Sequence, residues 1–588
     1  MRRIPALLAV ASITVMTVVA PTVKAAVAAP AGCGDVRAVG SLFDEKLAPH
    51  IRNDEIPGAV VSVVANGQTV FDKGYGLADI EHRTPMDPRT SGVRIASITK
   101  LFTYTAVMQQ VEAGRLRLDA DVNTYLTALR IPATYPQPIT LLDLMNHTAG
   151  FEDRVIGTGA RSAADVPPLG AFLAAHMPRR IRPPGEVSAY SNYGAALAGY
   201  IVAQVTGVPY DRYVQQHILD PLGMANTSAT EPPPFPPARS YNTEETPVRT
   251  VPFIFDPLTP DGSITASADD MAEFMKAHLD GGGKLLSPAT AALMHSRSFA
   301  ADPRLGGYAH GFMDRTMNGH RVLMHDGGWE GFASLLLLVP DCNAGLFLSL
   351  NSTRATDALD VVAAFMDRVA PKTAPERREA PATAAPEPGF YAPARHNDST
   401  VERLLVLLGP LRLTVAGDGT VHFKGHEYAD VGGGLYAQRD GEDHLVFRDG
   451  RVATDGPEYE RLGPADSLPL NLVVLAAFVL IALGTLAGLR RRPLTAAASL
   501  LGVVFLALLT WTLGWHSRDF IYGAPWWFLA LLTLPVLVVL GFIAAVAETI
   551  RGWARTRPGG RIHQVVSLGG LALVTWFFWN WNLLGWPV

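Results

Sequence analysis

Cysteine is scarce: Cys33 and Cys342 are the only two in 588 residues. No Cys/His cluster has metal-ligand spacing, so zinc is not implied and no metal is expected. Charge is scarce too, at 18% of residues with a net −5. No Lys/Arg block appears in the body of the chain, so nucleic-acid binding has no electrostatic support. The run Gly281-Gly282-Gly283 is not followed by Lys-Ser/Thr at Walker spacing, which leaves a helix end or turn rather than a phosphate loop. Four long apolar runs near the C-terminus hold no Asp, Glu, Lys or Arg, so they suggest no proton or ion path.

What is abundant is apolar surface. Hydrophobic residues make up 48% of the chain and the mean hydropathy is +0.17. A soluble chain of this length is more polar, so part of this one is expected in lipid. Arg2 and Arg3, the apolar run Ile4–Ala20 and small residues such as Ala26-Val27-Ala28 read as an export signal, residues 1–28. Export would put both cysteines in an oxidising compartment, where a Cys33–Cys342 disulfide is allowed but not demonstrated. Pro30-Ala31-Gly32-Cys33 lacks the aliphatic residue of a lipoprotein signal.

Residues 34–370 mix strand-like and helix-like segments. Ala59–Val64 and Gln68–Phe71, joined by Asn66-Gly67, read as a hairpin. Pro, Ala and charge mark 371–388 as a linker. Alternation in Leu411–Val415 and Thr420–Phe423 reads as a small antiparallel β-domain, 389–465, with no catalytic grouping of its own. In the remainder, 466–588, runs at about 468–489, 493–515, 524–547 and 565–586 can each cross a bilayer. Arg490, Arg491 and Arg492 lie between the first two runs, and Arg551, Arg555, Arg557 and Arg561 between the last two. Positive loops stay inside, so everything before the first run is expected outside. The expected setting is a bacterial membrane crossed several times, with the lipid bilayer as one partner and a small peptide or ester as the other.

Ser97-Ile98-Thr99-Lys100 opens a helical segment that runs to about Ala113. Residues three apart on a helix have Cβ atoms ~5–6 Å apart, so Lys100 would stand beside the Ser97 hydroxyl. A serine hydroxyl needs a neighbour to take its proton, and a lysine of lowered pKa can do so. Alone, the pair is no more than chance spacing supplies. Two further groupings follow in order: Tyr190-Ser191-Asn192 before the small-residue helix Tyr193–Thr206, and Met324-His325-Asp326-Gly327-Gly328 leading into the apolar strand Ser334–Val339. Such a strand can offer a backbone N–H that completes an oxyanion hole with the N–H of Ser97.

With these motifs the chain resembles the serine β-lactamase and penicillin-binding-protein superfamily, nearest the branch of class C β-lactamases, DD-peptidases, D-amino-acid peptidases and related esterases. The phrases Arg94-Ile95-Ala96, Leu141–Phe151, Pro184–Gly199 and Gly262–Phe274 extend the resemblance over about 36–368. It implies an α+β fold, an antiparallel sheet flanked by helices, followed here by the small β-domain and an α-helical membrane bundle. It implies Ser97 as acylated nucleophile, Lys100 and Tyr190 as its proton partners, Asn192, His325 and Gly327 at the substrate and Gly328 as second oxyanion donor, with no cofactor. His325-Asp326-Gly327 stands where penicillin-hydrolysing relatives carry Lys-Thr/Ser-Gly. A largely neutral histidine would hold a free carboxylate poorly, which favours a peptidase or esterase over a β-lactamase. The layout is also similar to prodrug-maturation peptidases of the colibactin type, and a non-catalytic sensor is the alternative of another class. His147 is expected to hold a loop, and Glu152 and Asp153 to sit in a solvated one.

Overall fold

In the computed structural model of this protein, residues 32–588 are described except 37–38, 54, 245–246, 355–358, 374–383, 487–491 and 516. The expected export signal, Arg490, Arg491 and most of 371–388 lie outside the described residues.

The first hairpin pairs Gly58–Ala65 with Gln68–Asp79. Asn66 and Gly67 both take positive φ, 50° and 74°, as a tight two-residue turn demands. These strands belong to an eight-stranded antiparallel sheet, in the order Thr84–Pro85, Gln68–Asp79, Gly58–Ala65, Ala344–Leu350, Phe332–Val339, His320–Trp329, Phe312–Met317, Gly307–Ala309. Side chains alternate between its faces. Val60, Val64, Leu336 and Phe347 join the core with the helices Thr99–Glu112 and Ala268–Leu279. Val61, Val63, Leu337 and Leu348 face the terminal helices Gly40–Arg52 and Leu359–Val369. Because both faces are covered, every residue of Gly58–Ala65 is buried. Cys33 and Cys342 are disulfide-bonded, with Cα atoms 5.6 Å apart.

Eight short strands from Gly389–Pro393 to Glu458–Arg461 close into a barrel. Its interior is aromatic, with Tyr391, Phe423, Tyr428, Phe447 and Tyr459, and closure leaves no unpaired edge. Beyond it, Leu468–Leu486, Pro493–Trp515, Trp526–Leu531 continued by Thr533–Gly552, and Pro558–Asn580 form four spans long and apolar enough to cross a membrane. Phe478, Phe505 and Phe578 fill the bundle's core, while Leu472, Leu480, Leu483, Leu540 and Ile543 are exposed on its outside. The fourth helix begins earlier than hydropathy implies: Pro558 sets its first turn. Trp581, Leu583 and Leu584 leave it to pack at the bundle's end, where the Pro587 carbonyl accepts from Val401 N–H (2.8 Å).

Candidate active site

Ser97 does not open the α-helix. It sits in a 3₁₀ turn, Ala96–Ile98, and the α-helix starts at Thr99. Ala96 at φ 49° turns the chain sharply from the short strand Val93–Arg94 into that turn. The turn is tied down from both sides. Ile95 N–H donates to Ile264 O (3.0 Å), and Thr99 Oγ1 accepts from Ile264 N–H (3.1 Å). Arg94 donates to Ile254 O (2.7 Å), pairs with Glu231 and lies 4.1 Å from the Trp329 ring.

Across this junction Lys100 Nζ donates to Ser97 Oγ (3.0 Å) and to the Asp261 carbonyl (2.8 Å). Lys100 has no solvent exposure. Burial pushes its pKa down, against an upward pull from the carboxylates of Asp261, 3.7 Å away, and Asp256. Asp256 is itself driven well above the usual carboxylate range by burial and by Asp261 and Glu231. A neutral amine beside a hydroxyl is therefore within reach, and that is the form able to accept the serine proton.

Tyr190 is half-buried against this pair, with its hydroxyl enclosed. Its ring centroid lies 4.9 Å from Lys100 Nζ. Its hydroxyl is set beside Ser97 without a hydrogen bond of standard geometry among the described residues. Burial raises its pKa, so the phenol keeps its proton and serves as a donor. His147, at φ 57°, packs on Tyr190 with centroids 4.2 Å apart. Its Nδ1 accepts from Ser191 N–H (3.1 Å), which leaves the proton on Nε2, and burial holds the ring neutral. Ser191 caps the next helix by accepting from Gly194 N–H (3.1 Å). Asn192 is that helix's first residue, and its buried Oδ1 has no partner among the described residues.

The third motif lies on a strand, His320–Trp329, and the apolar run expected as a strand is its hairpin partner, Phe332–Val339. It runs against the serine turn so closely that a Cβ on Gly327 would meet Ile95 O at 2.2 Å, whereas Gly328 borders open space. His325 Nδ1 donates to the Asp326 carbonyl (2.6 Å), leaving a lone pair on a buried, unpartnered Nε2. Burial brings its pKa to about 4, so it is neutral at pH 7.

Two expectations fail at the edge of the site. Glu152 is 3% exposed, not solvated. Its carboxylate accepts from Asp398 N–H (2.9 Å), Ser399 N–H (3.0 Å) and Arg179 N–H (3.2 Å). Asp153 Oδ2 accepts from Arg395 Nε (2.9 Å). These partners come largely from the small barrel, which does bring a charged side chain to the site: the Arg395 guanidinium lies 5.1 Å from the Tyr190 ring centroid. No motif in Ala394-Arg395-His396 announces it. Asp261, one residue before the family-like phrase at Gly262, carried no signal either. Among the described residues, Asp79, Glu81 and His82 group three ligand-type side chains, on a turn away from this cleft; Asp79 already pairs with Arg239 and His82.

Residues 42–370 match the β-lactamase family. The Bacillus subtilis (strain 168) "Putative penicillin-binding protein PbpX" is 31% identical over 272 residues, 45% of this chain and 65% of that one. "Protein flp" of Staphylococcus aureus (strain N315) is 29% identical over 318 residues, 52% of this chain; the chain spans 62% of that relative's length. The crystal structure of SurE aligns over 72% of this chain and 98% of its own, at 24% identity and a TM-score of 0.52, a likeness of fold.

Proposed function

The chain belongs to the β-lactamase family and is a serine hydrolase of that fold; from this premise we propose that it is an extracytoplasmic enzyme, anchored by its C-terminal helices, that forms an acyl-enzyme at Ser97 and hydrolyses peptide or amide bonds of D-configured substrates. The observation that carries this reading is the 3.0 Å contact to Ser97 Oγ from a lysine with no solvent exposure.

Ser97 Oγ attacks the substrate carbonyl as its proton passes to Lys100, and the new C–O bond places negative charge on the carbonyl oxygen. The N–H groups of Ser97 and Gly328 receive that oxygen. The C–N bond then breaks, the leaving amine takes the Tyr190 hydroxyl proton, and the Lys100 ammonium returns one to Tyr190. Water repeats the sequence on the ester. Asn192 orients the substrate amide through its unpartnered Oδ1. The neutral His325 supplies no permanent cation for a penicillin carboxylate.

Four apolar helices and the arginines between them support a multi-pass membrane anchor with the hydrolase outside. The Bacillus relative's name, a putative penicillin-binding protein, supports a serine that a β-lactam can acylate. In the detergent-solubilised full chain, a fluorophosphonate should label Ser97. Ser97→Ala should abolish labelling and cut kcat by ~10⁴-fold or more. A panel of D-Ala peptides, D-amino-acid amides, p-nitrophenyl esters and a chromogenic cephalosporin assigns the substrate class. Absent acylation would remove the hydrolase reading, and efficient benzylpenicillin turnover would remove the peptide preference.

A further inference from the structure

We propose that the barrel makes a membrane contact of its own: Leu405 and Leu408, on the short helical segment Val401–Arg403 continued by Leu404–Leu408, insert into the acyl chains of the outer leaflet. This rests on the reading of the four apolar helices as membrane spans.

The run Leu404-Leu405-Val406-Leu407-Leu408 is apolar on every side. Residues three apart share a helix face. Leu404 and Leu407 are buried in the hydrophobic cluster that includes the bundle's Phe528, Leu532 and Trp581. Leu405 and Leu408, on the neighbouring face, are 50% and 59% exposed. One exposed leucine on a barrel would mean nothing. Two on one face of an otherwise buried turn make a patch that needs an apolar partner.

Its position says what that partner is. Arg403 Nη2 donates to Asp466 Oδ1 (3.0 Å), two residues before the first span. Asn582 Nδ2, just after the fourth span, donates to Asp398 O (2.8 Å) and Thr400 O (3.0 Å). The segment is thus pinned where the first span begins and the fourth ends. Arg551, Arg555, Arg557 and Arg561 stand at the opposite end of the fourth span, which makes the pinned end the outer one. Other apolar side chains exposed at this end include Leu470, Leu472, Trp526 and Trp586. Tryptophans gather at the level of the headgroups, and the apolar face of an interfacial helix sinks ~5–10 Å below them. The turn is also rigidly tied to the catalytic wall. Glu402 accepts from Val155 and Ile156 N–H (2.9 and 2.7 Å), and a cavity of about 160 Å³ is lined by Leu405, Val406, Asp153 and Arg395. A leaflet that holds Leu405 therefore fixes the height of the Tyr190 wall above the membrane.

The disulfide uses both native cysteines, so an introduced one is the single free thiol. Leu405→Cys and Leu408→Cys in the full chain carry a bimane label and are placed in nanodiscs of phosphatidylcholine, with and without bromine on the upper acyl chain. Leu480→Cys, on the outside of the first span, is the lipid reference. Val431→Cys is the water reference: it is 59% exposed on a barrel turn whose Gly433 O accepts from Arg304 (3.0 Å). Brominated lipid should quench the labels at Leu405 and Leu408 by about twofold or more and leave that at Val431 nearly unchanged. An unchanged unfolding temperature in detergent checks that each variant is folded. Water-like, unquenched emission at both leucines overturns the proposal. So does blue-shifted emission without quenching, which would mean that a second copy of the chain covers the face. Loss of quenching at Leu480 as well would overturn the membrane reading itself, and so marks that failure apart from the other two.

Discussion

Two units follow the hydrolase along the chain, the barrel and the helical bundle, and both dock on the loop 152–161 by different means. The barrel side uses buried carboxylates. Glu152 takes three backbone N–H groups; Glu402 takes those of Val155 (2.9 Å) and Ile156 (2.7 Å). The bundle uses main chain and rings. Phe520 O accepts from Gly157 N–H (3.0 Å), Ile521 O from Gly159 N–H (2.7 Å), and Arg161 lies 3.8 Å from the Tyr522 ring centroid. A desolvated carboxylate is stable only with its donors in place, so the barrel has essentially one register on the loop. Backbone pairs joined by apolar contact depend little on which side chains are present. Among the described residues, the barrel brings a side chain, Arg395, to the Tyr190 ring.

The comparison is sharpest at Glu152. Glu152→Ala strips three part-buried N–H groups of their acceptor and should cost about 2–4 kcal/mol by chemical denaturation. A change under ~1 kcal/mol would mean that the barrel is not clamped by charge. Acid tests the strand that carries His325. His325 titrates at about 4 when folded and near 6.5 when unfolded. The unfolded chain therefore binds the extra proton first, and stability present above pH 6.5 is lost as pH falls towards 4, by about 3 kcal/mol. His325→Asn should flatten that slope in pH-dependent unfolding, and an unchanged slope would show that the ring is not buried neutral. A smaller effect is expected at Glu402, where Glu402→Gln keeps one acceptor and should cost ~1–2 kcal/mol. The smallest belongs to the bundle. Arg161→Ala removes a cation–π contact worth ~1 kcal/mol and should leave kcat within twofold; a tenfold fall in kcat would put the bundle inside the catalytic machinery.

Much of this arrangement was legible in the order of residues alone, wherever the determinant is local. The hairpin at Asn66-Gly67 follows from turn chemistry, and the four apolar helices follow from run length. Ser97 and Lys100 meet because their spacing in the chain fixes their spacing in a helical turn, although the bend at Ala96 moved the α-helix start to Thr99. How closely the His325 strand passes the serine turn, with Gly327 against Ile95 O, was not legible, because that contact joins residues distant in sequence.

What the sequence determined by itself was the apolar spans and the short-range pairing of serine with lysine, both set by periodicity and spacing over a few residues; the hydrolase fold came from the resemblance of its ordered motifs to a known family. Only the tertiary structure decided which charges are buried. Glu152 and Asp153 read as a solvated loop until the barrel closed over them, and Arg395 read as an unremarked arginine until that closure brought it to Tyr190. The reason is physical: whether a carboxylate or a guanidinium leaves water depends on the partner that meets it, and here those partners lie more than 200 residues apart.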